Sequence, residues 1–226
     1  MEKTMKKSLS LLAAFLVAGM WSAPVQAADH YVSAMAGMSW FQDSDIEHVY
    51  ADTDYKDVAT VSFDSGLTAV GAIGCDYGST RLEAEIGYQK NDVETDSDYL
   101  SGDVQVLSLM ANGFYDIDLG GVDLYAMAGV GVAQVNVDID GERYSHRYQT
   151  WVDTNYEASE VTLAYQVGAG LAIPVGDGVM IDARYRYFAT TDFTAGDDGA
   201  ASWMGSADYN TNVSSHSALL GLRVNL

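Results

Sequence analysis

The segment TRLEAEIGYQK, residues 80–90, alternates without a break: Leu82, Ala84, Ile86 and Tyr88 share one parity, and Arg81, Glu83, Glu85, Gly87 and Gln89 the other. A β-strand points successive side chains to opposite faces, so such a strand must separate two very different surroundings. A soluble sheet turns its apolar face to a core and its charges to water. A membrane barrel inverts that order, with lipid outside and polar side chains within.

Seven further segments alternate in the same way: 30–41, 66–77, 103–115, 122–137, 161–175, 179–188 and 217–226. In most of them one parity is apolar, as with Val32, Ala34, Ala36, Met38 and Trp40 in the first and Ala218, Leu220, Leu222, Val224 and Leu226 in the last. The fifth, 122–137, is so rich in glycine and apolar residues that its faces cannot be assigned. Eight strands match a small closed barrel. The connections alternate too. YGST, DIDLGG and GDG follow the second, fourth and sixth segments, whereas polar stretches at 42–62, 90–102, 138–160 and 189–214 follow the others. An antiparallel meander collects the short turns at one end and the long loops at the other, the pattern of outer-membrane barrels.

The N-terminus agrees with export. Lys3, Lys6 and Lys7 precede an apolar stretch from residue 9 to 20, and Val25-Gln26-Ala27 forms a small-residue cleavage site. Residues 1–27 therefore read as a cleaved secretory signal peptide and 28–226 as the barrel with four long extracellular loops. No later stretch offers the roughly 20 apolar residues of a spanning helix. Removing residues 1–27 takes away three lysines and one glutamate and moves the formal charge from −21 to −23, which repels nucleic acid. A single cysteine, Cys75, cannot form an internal disulfide.

Charge placement decides which face is inside. Of the eight cationic side chains after residue 27, Arg81, Arg184, Arg186 and Arg223 lie on polar parities, together with Asp76, Glu83, Glu85 and Asp182. An eight-stranded barrel is just wide enough for side chains to fill it, so these charges should meet inside. Tyr77, Tyr88, Tyr115, Tyr185 and Tyr187 gather on the apolar parity near strand ends, as an interfacial girdle does. The reading is an all-β fold: an eight-stranded antiparallel up-and-down transmembrane β-barrel in the cell outer membrane. Its structural lumen charge network comprises Arg81, Glu83, Glu85, Asp182, Arg184, Arg186 and Arg223.

The stretches GCDYGSTRLEAEIGY, LMANGFYDIDLGGVDLYAMAGVGVA, AYQVGAGLAIPVGDGVMIDARYRYF and LLGLRVNL resemble the small OmpA-like and opacity-type outer-membrane β-barrel proteins. The resemblance implies an eight-stranded barrel inserted by the outer-membrane assembly machinery of a Gram-negative cell. It also implies a C-terminal insertion signal carried by Gly221, Val224 and Leu226. Two positions depart from that pattern: the last residue is Leu226 rather than an aromatic, and Leu219 stands where a polar residue is common. With no sequence after the eighth strand, the peptidoglycan-binding domain of full-length OmpA-type members is not expected.

The expected role is a structural or surface-interaction protein with a side-chain-filled lumen, no catalysis and no cofactor. Its partners are outer-membrane lipid and lipopolysaccharide, the assembly machinery, and an extracellular ligand or host surface met through acidic loops. Those loops hold Asp43, Asp45, Glu47, Asp52, Asp54 and Asp57, then Asp92, Glu94, Asp96 and Asp98. The alternative is a narrow pore of porin-like conductance, which the charged lumen opposes. Behind it stand a divalent-cation binder and a rim hydrolase. In Asp92, Glu94, Asp96, Asp98 and Asp103 the spacing approaches a calcium loop, but Ser97 replaces its required glycine. Ser214, Ser215, His216 and Ser217 bring hydroxyls and an imidazole together without an identifiable orienting carboxylate. His30, His48 and His146 show no zinc-ligand spacing, and Gly129-x-Gly131 and Gly168-x-Gly170 are not dinucleotide fingerprints.

Overall fold

A computed structural model describes residues 28–42, 44–49, 56–61, 65–92, 100–145, 150–191, 193–195 and 209–226. The expected signal peptide, 1–27, lies outside them. Twelve strands are present among these residues: β1 (Asp29–Phe41), β2 (Ser44–Val49), β3 (Lys56–Val61), β4 (Gly66–Asp76), β5 (Thr80–Asp92), β6 (Leu100–Asp118), β7 (Asp123–Ser145), β8 (Thr150–Gly176), β9 (Val179–Thr190), β10 (Phe193–Ala195), β11 (Tyr209–Thr211) and β12 (Ser214–Asn225). Eight of them close into an antiparallel barrel in the order β1-β12-β9-β8-β7-β6-β5-β4, while β2 pairs β3 and β10 pairs β11 as two small sheets. The first and last strands meet along a continuous register from Tyr31↔Asn225 to Phe41↔Ser215. That ladder removes both sheet edges.

Two of the tight turns are built alike. Gly78 and Gly120 have φ of 95° and 79°, and each backbone N–H is held by the aspartate two residues earlier, Asp76 at 2.8 Å and Asp118 at 2.7 Å. An Asx turn followed by a left-handed residue suits glycine at no steric cost.

At the other end, β7 and β8 run well past the eight-stranded belt. Residues 138–160 were expected as an open connection; instead the β7–β8 ladder continues to Ser145↔Thr150. Alternation is a signal only where two faces differ, and beyond the bilayer both faces meet water.

Burial follows parity round the barrel except at the end of β9, where Phe188, Ala189 and Thr190 are all buried. On β5, Arg81, Glu83, Glu85, Gly87, Gln89 and Asn91 are buried, whereas Leu82, Ile86 and Tyr88 are exposed. Leu67 is 73% exposed, Val130 62% and Leu220 62%, and they belong to a continuous outward apolar belt. A soluble monomer does not present such a belt to water. On β7, whose faces the sequence left open, Tyr125, Met127, Ala133 and Val135 point inward and Leu124 and Val130 outward.

Inside, apolar groups cluster at three places: Val104, Val106, Met110, Ala133, Val135, Ala164 and Phe188 toward the long-connection end; Met35, Val70 and Leu219 on the opposite wall; and Phe114, Tyr125 and Met127 toward the short turns. Leu219 thus packs inside the barrel, against Met35 and Val70.

Candidate functional site

The charged middle of the lumen is organised around Glu85, which is fully buried. One carboxylate oxygen accepts from Arg184 Nη1 at 2.9 Å and Asn112 Nδ2 at 3.1 Å; the other accepts from Arg186 Nη1 at 2.9 Å and Gln166 Nε2 at 3.2 Å. Four donors from β6, β8 and β9 therefore converge on a β5 residue, which uses the full acceptor capacity of an ionised carboxylate. Gln166 and Asn112 are bonded to one another at 2.7 Å, and Arg186 reaches on to Gln166 Oε1 at 3.1 Å and Thr68 Oγ1 at 3.2 Å. Glu83 accepts from the Tyr31 hydroxyl at 3.0 Å and lies 3.7 Å from Arg184 Nη2.

The seven lumen residues named from the sequence all point inward and are buried, but they do not form one cluster. Glu83, Glu85, Arg184 and Arg186 are joined by ion pairs. Arg81 instead makes a two-pronged pair with Asp116, at 2.8 Å on each side, and its guanidinium lies 4.3 Å from the Phe114 ring centroid. Asp182 is linked to Arg184 through the Tyr125 hydroxyl, which donates to Asp182 and accepts from Arg184 Nε at 3.3 Å. Arg223 stands apart near the short turns, 3.9 Å from Asp123, with Nη2 on the Met180 sulfur at 2.7 Å.

Asp116, Tyr31, Tyr125, Asn112 and Gln166 complete these contacts. Asp116 shares the parity of Asn112 and lies just past the point where the fourth segment was ended. Tyr31 is the inward neighbour of Val32, and Tyr125 falls in the segment whose faces were unassignable.

Toward the long connections, amides and hydroxyls bond one another inside the barrel. Ser39 Oγ donates to Asn91 Oδ1 at 2.9 Å, Gln89 Nε2 to the same oxygen at 3.2 Å, and Ser215 Oγ to Gln89 Oε1 at 3.2 Å. These groups lie beside the apolar cluster on the neighbouring strands, with Asn91 paired to Val104, Gln89 to Val106 and Ser215 to Phe188.

The remaining candidates separate. Ser215 and Ser217 are buried inward, while His216 turns to the outer wall and bonds Gln42 and Tyr185, so imidazole and inward hydroxyls lie on opposite faces. Of the calcium-like spacing, Asp92 and Asp103 stand opposite one another on β5 and β6, and Asp103 pairs with Lys90 at 3.2 Å. Residues 94, 96 and 98 lie outside the described residues, among which no grouping of three metal-ligating side chains occurs. Gly221 packs against the β1 backbone at Met35, Val224 is half-buried on the outer parity, and the Leu226 N–H donates to the His30 carbonyl at 2.8 Å.

The family model described as "Outer membrane protein beta-barrel domain" matches residues 13–225. Among solved structures, the chain is similar to Neisserial surface protein A, with 18% identity over 87% of this chain and 97% of that one and a TM-score of 0.53. It is also similar to the outer membrane protease OmpT from Escherichia coli, with 7% identity over 89% of this chain and 98% of that one and a TM-score of 0.52. At such identities the likeness is one of fold. No curated protein sequence matches. With a closed eight-stranded barrel, an apolar outer belt and a family model spanning nearly the whole chain, the protein belongs to the outer-membrane β-barrel family and resides in the outer membrane.

Proposed function

We propose that this protein is a closed outer-membrane stake with a structural or surface-interaction role, and neither a general pore nor an enzyme. The observation that carries the reading is Glu85: fully buried, it holds two arginines and Gln166, which reach across the lumen, and Asn112 from the neighbouring strand. An ion that passes the amide and hydroxyl layer meets side chains already paired with one another. Removing one partner of such a set is costly, so the lumen resists opening. The carboxylates of the first and second long connections favour a partner with a basic surface and disfavour polyanions. Residues 1–27 serve in export and are removed, and Gly221, Val224 and Leu226 serve in assembly at the C-terminal strand.

Planar-bilayer recording on the refolded chain tests this, with the difference in gel mobility between unheated and boiled samples as the check on folding. A heat-shifting protein without steady conductance is the expected result. Large, stable conductance would replace the closed stake with a narrow pore.

A further inference from the structure

The β7–β8 hairpin outruns the strand on its other side. β7 pairs with β8 without a break from Asp123↔Ala172 to Ser145↔Thr150, but β9 meets β8 only up to Ala164↔Thr190. One further bond, from the Thr191 N–H to the Leu163 carbonyl at 2.9 Å, ends that ladder. From Thr150 to Thr162 no strand among the described residues pairs with the side of β8 turned away from β7; β10 passes beside it but pairs with β11. At about 3.4 Å per residue this free edge is roughly 40 Å long. Leu163 shows which backbone groups lie along it. In an antiparallel ladder the N–H and C=O of one residue point to the same neighbouring strand, and those of the next residue to the other. Leu163 faces β9. With the β7 register unbroken, Val161, Ser159, Glu157, Asn155, Asp153 and Trp151 therefore direct their N–H and C=O to the free side.

We propose that β8 from Trp151 to Val161 is a docking edge that takes an extended, lysine- or arginine-rich segment of a partner protein as one more strand. This deepens the surface-interaction reading above and rests on it. An unpaired edge is a template for another strand, whose main-chain bonds supply the affinity. Charge selects the occupant. Residues 150–163 carry Asp153, Glu157 and Glu160 and neither lysine nor arginine, and the β7 residues opposite include Asp138, Asp140 and Glu142 against the single Arg143. One register row crosses four strands as Asp92, Asp103, Asp138 and Glu157, with Lys90 paired to Asp103. Like charges directly opposite one another disfavour pairing, so a second copy of this edge is repelled. A strand that alternates basic and apolar residues is attracted.

The probe is a synthetic peptide of about nine residues, alternating lysine and valine, which spans most of the edge. Its fully N-methylated twin keeps the charge but has no main-chain donors. Each is titrated by fluorescence anisotropy against the full barrel in nanodiscs of zwitterionic lipid. The parent peptide should bind, and the twin should bind about tenfold more weakly or worse. On binding, the amides of Asn155, Glu157 and Ser159 should gain protection from hydrogen exchange, while those of Tyr156 and Ala158, already in the β7 ladder, should not change. Glu157→Pro removes a free-side donor, a place where an edge strand tolerates proline. It should keep the barrel's heat-dependent gel shift and weaken the parent peptide more than Glu157→Gln, which loses only the charge. Equal binding of the two peptides, or Glu157→Pro no weaker than Glu157→Gln, would overturn the docking edge and leave an acidic surface that attracts cations. Binding by neither peptide would overturn both the edge and the reading of a basic partner.

Discussion

Tyr31 and Tyr125 face one another from opposite sides of the barrel in equivalent surroundings. Each ring lies over the glycine directly opposite on the next strand, Gly74 for Tyr31 and Gly170 for Tyr125. Each hydroxyl then donates to a carboxylate one strand further on, Glu83 in one case and Asp182 in the other. The two sets occupy β1-β4-β5 and β7-β8-β9, four strands apart in a ring of eight. Two four-stranded halves thus solve the same packing problem in the same way: a bare backbone beneath a ring, and a buried acid beside its hydroxyl.

The glycines should be intolerant of even one methyl group. A Cβ at Gly74 or Gly170 would occupy the space of the tyrosine ring, so Gly74→Ala and Gly170→Ala should each destabilise the barrel by about 1–3 kcal/mol. Denaturant unfolding of the refolded protein in lipid vesicles measures this. Tyr31→Phe in the Gly74→Ala background should not restore stability, because the ring remains.

Arg81 makes a test of geometry rather than charge. Its fork holds both oxygens of Asp116 at 2.8 Å, and lysine preserves the charge without the fork. Arg81→Lys should cost about 1.5–3 kcal/mol, the range for hydrogen bonds to charged groups. An unchanged unfolding midpoint would mean that charge alone suffices.

The outer belt should reject charge according to depth. Val130, mid-strand on β7 and 62% exposed, faces lipid in the membrane-inserted barrel, and Val130→Arg should destabilise by about 2–4 kcal/mol. The same substitution at Gln134, four residues further along β7 among polar neighbours Asn136 and Ser159, should cost much less.

How far these features could be read from the chain depends on contrast. Where one parity is charged and the other aliphatic, as at residues 81–88, the sequence discloses both the strand and its orientation. On β7 the inward Gly129 and Gly131 alternate with outward Ala128 and Val130, leaving no polar face to mark the lumen. Partnerships were harder still. Arg81 sits two residues from Glu83 on its own strand, yet it pairs with Asp116 on β6, because register and side-chain length, not proximity in sequence, choose the acid. The apolar lumen residues Met35 and Leu219 lie on parities that otherwise carry Ser33, Ser217 and Arg223, and only packing shows that they fill the lumen against Val70.

Loop charges should behave differently from lumen charges. Glu85→Gln leaves Arg184 and Arg186 buried with one carboxylate fewer, and breaking a buried pair in this way typically costs about 3–5 kcal/mol. Asp45→Asn, in the first long connection, should leave the unfolding midpoint where it was. Equal effects at the two positions would argue against a packed interior.

The central claim is that the charges joined through Glu85 act as one packed unit, and a double-mutant cycle between Glu85 and Arg186 tests it most directly. With Glu85→Gln, Arg186→Met and the pair measured by denaturant unfolding in the same vesicles, the account predicts a coupling of about 1–3 kcal/mol. Additivity to within about 0.5 kcal/mol would contradict it, since residues that add independently share no network.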